Sequence, residues 1–247
     1  MLLRKAFPDH GPSPSGYTMM DMGSSYGHLA RKVAESYGCR VVCIELSVAA
    51  NMENLKLTAA AGLSEKVIIP GERSYFDTQM PASSMDIVVS QDAFMHASTE
   101  HHKAIKEAAR VLKPGGIFVF SDLMSSDTTD KTKLVEIYKN IEIVGLANPG
   151  SYKRWGEEFG LEFVEYDEYA SNVATHYASL AEVIKDVRGS MAGVESRYLD
   201  WMTVRYSACA NAAKHGLLTS GLMVFKKKAV SLHCATVEWT INDPSLA

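Results

Sequence analysis

Met20-Asp21-Met22-Gly23-Ser24-Ser25-Tyr26-Gly27 reads as the end of a short apolar strand, a turn of small residues and the opening of a helix. Glycine and serine let the backbone pass close beneath a ligand, and the first turn of a helix offers unpaired N–H groups to an anion. Asp21, Gly23, Ser25 and Gly27 are the candidate floor of such a site, with Asp21 placed to receive a cationic group. About 20 residues further on, a second strand over 40–45 ends in Glu45, where a carboxylate accepts hydrogen bonds from both hydroxyls of a ribose. Each feature alone has a plainer reading, the turn as an ordinary connection and the acid as a solvated strand end. Together they point to a nucleoside ligand.

Outward from that turn, short apolar runs alternate with amphipathic stretches, the pattern of a mostly parallel α/β sheet. Strands are expected over 17–21, 40–45, 66–69, 86–90 and 117–121, with helices to about Tyr37, over 48–61 and over 99–112. Gly62 and Lys113-Pro114-Gly115-Gly116 supply the helix stops. The run Ile87-Val88-Val89 suits a strand buried on both faces. Beyond Asp122 two helical regions, 130–160 and 177–215, flank a strand at 161–166, and a last strand covers 221–227. Residues 1–16 read as loop and 229–247 as a loosely attached tail, leaving one domain over 1–228.

The 247 residues are 47% hydrophobic and 22% charged, ordinary for a globular protein. A net charge of −4 gives no broad attraction to nucleic acid or anionic membrane. No apolar run approaches the ~20 residues that span a bilayer, and the first residues lack a secretion signal's apolar core. Cys39, Cys43, Cys209 and Cys234 form no CxxC pair. Reduced thiols, no metal and a cytoplasmic setting are therefore expected. Oligomeric state leaves no mark on the sequence.

Nicotinamide and adenosylmethionine sites share the strand, turn and acid geometry. A dinucleotide fold wants GxGxxG to seat a pyrophosphate. Here Gly23 and Gly27 lie four apart with an acid two residues before the first, closer to the pattern DxGxGxG, in which Ser25 replaces the middle glycine. Downstream, Asp86-Ile87-Val88-Val89-Ser90-Gln91-Asp92-Ala93-Phe94-Met95-His96 is followed by Ala109-Arg110-Val111-Leu112-Lys113-Pro114-Gly115-Gly116. In this order the segments resemble class I S-adenosylmethionine-dependent methyltransferases. The stretch from Ser90 to His96, with Asp122, Met124, Gly150-Ser151-Tyr152 and His176-Tyr177, resembles the sarcosine/dimethylglycine N-methyltransferases of glycine betaine synthesis.

That resemblance covers about residues 19–228. It implies a Rossmann-like, mostly parallel seven-stranded sheet with an antiparallel last strand and a helical insert beside the substrate pocket. It implies S-adenosylmethionine as cofactor, held by Asp21, Gly23, Ser25, Gly27, Glu45, Leu46, Glu72, Arg73, Ser90 and Gln91. It implies Asp92, His96, Tyr152, His176 and Tyr177 around a small-molecule acceptor, a methylated glycine. Lys153 and Arg154 are the expected partners for the acceptor's carboxylate. Two departures bear on the acceptor: only about 16 residues precede the first strand where the family has a longer helical segment, and Ser220 stands where a tryptophan is expected. A sulfur or oxygen acceptor and a non-catalytic methyltransferase-like fragment are the alternatives.

Overall fold

The computed structural model describes residues 2–7, 14–191 and 193–229. Seven strands form one sheet: β1 (Thr18–Met22), β2 (Arg40–Ile44), β3 (Val67–Ile68), β4 (Met85–Gln91), β5 (Leu112–Ser125), β6 (Leu161–Glu168) and β7 (Leu218–Lys227). Their order is β3-β2-β1-β4-β5-β7-β6. The pairs from β3 to β5 are parallel, and β7 runs antiparallel between β5 and β6. The strand order reverses direction between β1 and β4, and an open α/β sheet binds ligands beyond the carboxyl ends of strands at such a switch point.

The parallel strands are apolar on both faces because helices cover both. Met20, Met22, Phe94, Phe118, Phe120, Tyr152 and Phe225 belong to one core cluster, under α4 (His101–Val111) and α6 (Pro149–Glu158). Met19, Val33, Val41, Val89, Val119 and Val224 belong to the other, under α2 (His28–Tyr37). A third cluster joins Leu123 and Leu218 to α5 (Val135–Asn140), α7 (Ala170–Val187) and α8 (Ser196–Lys214). This is the helical insert, and it stands over the carboxyl end of β5.

The run from Arg110 to Gly116 lies at the opposite end of the sheet and has a structural job. Arg110 donates Nε to Glu107 Oε2 at 2.7 Å, and Glu107 Oε1 accepts from Thr78 Oγ1 at 2.6 Å. Lys113 Nζ reaches Asp86 Oδ1 at 2.8 Å, while Asp86 Oδ2 accepts the Thr18 N–H at 2.9 Å. One carboxylate thus ties the start of β1 to the start of β5.

Three sequence expectations are corrected. Residues 2–6 form a short helix, α1 (Leu2–Ala6), because Ala6 and Phe7 find apolar cover in the second cluster and Phe7 stacks on Tyr37 at 4.3 Å. The region 130–160 splits into two helices, since Asn148 caps α6 by accepting the Ser151 N–H at 2.7 Å. The strand β7 starts three residues before the expected 221, pairing Leu218 with Ser125. The tail beyond Ala229, with Cys234, lies outside the described residues, as do residues 8–13 of the N-terminal stretch.

Candidate active site

At the carboxyl end of β1 the chain enters a left-handed turn: Gly23, Ser25 and Gly27 have φ of 83°, 48° and 72°. A Cβ on Gly23 would sit 2.4 Å from the Ala93 Cβ, and one on Gly27 would sit 1.9 Å from Asn54 Oδ1. Gly27 is also the N-cap of α2. The turn is pinned from the side, Gly23 and Ser24 donating their N–H groups to the Ile44 carbonyl at 2.8 and 3.1 Å. What results is a bare backbone cradle at a helix N-terminus, the form that lets a ligand approach closely.

Glu45 closes the cradle's edge. Its Oε2 accepts the Ser25 N–H at 3.0 Å and its Oε1 the Ser47 N–H at 2.8 Å. A carboxylate has about four lone-pair sites, so each oxygen retains one for a hydroxyl. The neighbouring loop returns to the same place: Glu72 bridges Glu45, and Arg73 donates its N–H to the Glu45 carbonyl at 3.0 Å. Arg73 Nε is buried with no hydrogen-bond partner. Leu46 is 60% exposed beside them, an apolar side chain left uncovered at the rim. Asp21 lies buried below the turn; burial and the charge of Glu45 push its pKa up to about 7. A cation brought to Asp21 would hold it ionised. Donors, acceptors, a buried acid and an apolar rim thus fit a cationic nucleoside such as S-adenosylmethionine.

The end of β4 carries the second half of the site. Asp92 has φ of 51°, donates its N–H to the Ser121 carbonyl at 2.9 Å and accepts the Ser121 hydroxyl at 3.0 Å. It forms one wall of a cavity of about 430 Å³ shared with Met95, Tyr169, Asn172, His176 and Tyr177. Asp92 is exposed at the cavity wall, and the desolvation it meets there raises its pKa, against the Ser121 hydrogen bond and the opposing charge of His176. Tyr177 packs edge-on to His176 at 5.3 Å, and burial raises its pKa strongly. Asp92 faces the cavity and the next residue, Ala93, abuts Gly23. The cradle and the cavity are therefore one chain step apart.

Residues 20–120 match the family model of the methyltransferase domain. The sarcosine/dimethylglycine N-methyltransferase of Aphanothece halophytica is 33% identical over 87% of this chain and 77% of its own length. The chain belongs to that family. It is an S-adenosylmethionine-dependent methyltransferase. The dimethylglycine N-methyltransferase of Parasynechococcus marenigrum is likewise 33% identical, over 87% of this chain and 77% of that protein. A solved structure from Galdieria sulphuraria, assigned provisionally as a sarcosine dimethylglycine methyltransferase, superposes with a TM-score of 0.81 at 26% identity. It covers 86% of this chain and 78% of that one.

In the methyltransferase the expected residues fall into four groups. Asp21, Gly23, Ser25, Gly27, Glu45, Leu46, Glu72 and Arg73 surround the cradle, and Asp92, His176 and Tyr177 meet in the cavity. Ser90 and Tyr152 are structural in their contacts. Ser90 Oγ donates to the Met22 carbonyl at 2.7 Å, joining β4 to the end of β1. Tyr152 is wholly buried, with its hydroxyl donating to Asp122 Oδ2 at 2.7 Å. Gln91 and His96 are exposed and stand outside the cavity wall. The His96 pKa is lowered, by desolvation of its ring first and by the charge of Arg205 second.

Lys153 and Arg154 are corrected. They lie on the outer face of α6, where Lys153 Nζ sits 4.8 Å from the Phe163 ring and Arg154 donates to Ser151 Oγ at 3.2 Å. A helix presents adjacent residues about 100° apart, and it is Tyr152 that α6 turns inward. Sequence reasoning missed Tyr169 and Asn172 on the cavity wall, and it named Asp122, which lies behind that wall, only as part of the resemblance and gave it no role. Asp122 is fully buried, accepts the Met95 N–H at 2.8 Å and has a pKa pushed up to about 8 by burial, against its bonds to Tyr152 and Met95. An acid in the apolar run Phe118 to Met124 was the available signal.

Glu45→Ala should weaken cofactor binding by roughly 1.5–3 kcal/mol, the range for hydrogen bonds to a charged group. Calorimetric titration with S-adenosylhomocysteine measures it. A loss of only a few tenths would reduce Glu45 to a strut for the Ser25 turn.

Proposed function

We propose that this methyltransferase transfers the methyl group of S-adenosylmethionine to the nitrogen of sarcosine or dimethylglycine. The observation that carries the reading is the step from Ala93, against the Gly23 cradle, to Asp92, in the cavity wall. Cofactor and acceptor held in these two places lie side by side. The family's named members, from Aphanothece halophytica and Parasynechococcus marenigrum, give the acceptor class.

When bound, S-adenosylmethionine supplies an electrophilic methyl group on a sulfonium centre. The chain's own part is alignment and exclusion of water. Asp21 takes the cofactor's ammonium, the Gly23 to Gly27 backbone its carboxylate, and Glu45 its ribose hydroxyls. In the cavity, Asp92 orients the acceptor's ammonium, while Tyr169 and Tyr177 offer ring faces to its methylated, cationic end. The nitrogen must lose its proton before its lone pair is available. Asp92 and His176 are the acid–base groups on the cavity wall that stand ready to accept it. A cavity of about 430 Å³ sits towards the small end of ligand pockets, which suits an amino acid and disfavours a sterol or a prenyl chain.

The test is formation of S-adenosylhomocysteine across glycine, sarcosine and dimethylglycine, with a thioether acid and a phenol as controls. Turnover confined to the methylated glycines supports the reading. Turnover of the thioether or phenol alone ends it.

A further inference from the structure

The cavity holds an acid for the acceptor's ammonium, while among the described residues its wall carries no lysine or arginine. With Lys153 and Arg154 on the outer face of α6, the acceptor's carboxylate has no partner assigned above.

The strands fix what lies where on the cavity floor. Asp92 accepts the Ser121 hydroxyl at 3.0 Å, so its carboxylate sits beside that residue of β5. Two residues further along β5, Leu123 pairs with Ser220 of β7. Alternate residues of a strand share one face, and so do residues directly paired across two strands. Ser121, Leu123 and Ser220 accordingly all line the cavity. The floor has Asp92 and Ser121 at one end and Ser220 at the other, about 7 Å away.

The roof is α7. Tyr169, Asn172, Val173, His176 and Tyr177 recur at spacings of three and four, which is one face of a helix, and all five line the cavity. The helix starts at the Ser220 end: the Tyr169 N–H donates to the Ser220 carbonyl at 2.7 Å, and the Asn172 N–H to the Tyr169 carbonyl at 2.9 Å. Asn172 therefore belongs to the turn that begins over Ser220, and His176 to the next. The Tyr169 hydroxyl is engaged by Asp167 at 3.4 Å. Asn172 Oδ1 accepts the Ser171 hydroxyl at 3.4 Å, but neither Asn172 Nδ2 nor Ser220 Oγ has a hydrogen-bond partner among the described residues. Two uncommitted donors thus share the end of the cavity away from Asp92.

We infer that Asn172, on the roof, and Ser220, on the floor, bind the acceptor's carboxylate through the Asn172 amide N–H and the Ser220 hydroxyl. The inference rests on the proposed amino-acid acceptor and goes further by naming the residues that recognise its anion. Hydrogen bonds to a carboxylate are charge-assisted, so neutral donors suffice. With Asp92 at the nitrogen and Asn172 and Ser220 at the carboxylate, the site grips both ends of a short zwitterion. Because the subsite carries no charge of its own, an acid at position 172 turns it from attraction to repulsion.

The experiment compares dimethylglycine with N,N-dimethylethanolamine, an amine of the same length carrying a hydroxyl in place of the carboxylate. Calorimetry follows the binding of each to the S-adenosylhomocysteine complex of wild type, Asn172→Ala, Asn172→Asp and Ser220→Ala, and turnover gives KM and kcat. Asn172 is exposed in the first turn of α7, where an acid is favourable to the helix, so the aspartate variant retains the fold. Asn172→Ala should lower the preference for dimethylglycine over dimethylethanolamine roughly 10- to 150-fold, with Ser220→Ala in the same direction. Asn172→Asp, the same size with a like charge, should lower it further and leave dimethylethanolamine the tighter ligand. Equal losses for both amines, a change in preference under about threefold in Asn172→Asp, or variants that all lose S-adenosylhomocysteine binding would overturn the assignment. Wild type that neither binds nor turns over any methylated glycine defeats the acceptor reading itself, and the subsite with it. Wild type that prefers dimethylglycine, with that preference intact in Asn172→Asp, defeats the subsite alone.

Discussion

Gly23→Val should weaken cofactor binding more than about 100-fold, or some 2.8 kcal/mol, while far-UV circular dichroism stays close to wild type. At φ of 83° a β-branched side chain is strained, and its Cβ would lie 2.4 Å from the Ala93 Cβ. Relief requires the turn or the segment after β4 to move, and both line the cradle. The two causes separate in a second pair of variants. Gly23→Ala keeps most of the clash at lower strain, and adding Ala93→Gly removes the clash alone. Partial recovery of affinity in the double variant assigns the effect to the close approach of these two segments. Unchanged affinity in Gly23→Val would remove the glycine turn from the cofactor site.

The second large effect is expected at Asp92. Asparagine keeps the size and tolerates a left-handed backbone, so Asp92→Asn isolates the charge. With the acceptor's ammonium paired to this carboxylate, kcat/KM for dimethylglycine should fall about 10- to 150-fold, the equivalent of 1.5–3 kcal/mol. Cofactor affinity should hold, because Asp92 faces the cavity and its neighbour faces the cradle. Asp92→Ala should be worse still, since alanine at φ of 51° adds backbone strain. Equal kinetics in wild type and Asp92→Asn would make the aspartate a turn residue held by Ser121. Stopped assays of product against acceptor concentration decide between the two.

The cofactor half of the site was legible because its chemistry depends on backbone at fixed offsets. Gly23 and Gly27 are needed for conformation, and Glu45 follows from where β2 ends. The Arg110 to Gly116 run is equally legible, yet its side chains are struts: Arg110 holds Glu107 and Lys113 holds Asp86. It identifies the fold without touching the site. The acceptor half was only partly legible. His176 and Tyr177 do line the candidate cavity, while Tyr152 lies in the core and Lys153 and Arg154 lie outside. Three consecutive residues of a helix point in different directions, and only the docking of α6 on the sheet decides which one turns inward. α1 leaves no local signal for a similar reason: its stability comes from Phe7 on Tyr37, a contact from elsewhere in the chain.

The most direct measurement is a single turnover of the enzyme with S-adenosylmethionine carrying a ¹³C-labelled methyl group, in the presence of dimethylglycine, followed by NMR. Transfer to the amine predicts one N–¹³CH₃ resonance on the trimethylated product, appearing together with an equal amount of S-adenosylhomocysteine. Label that stays on intact bound cofactor, or that appears only on a sulfur or oxygen acceptor added in competition, would contradict methyl transfer to an amino-acid nitrogen by this chain.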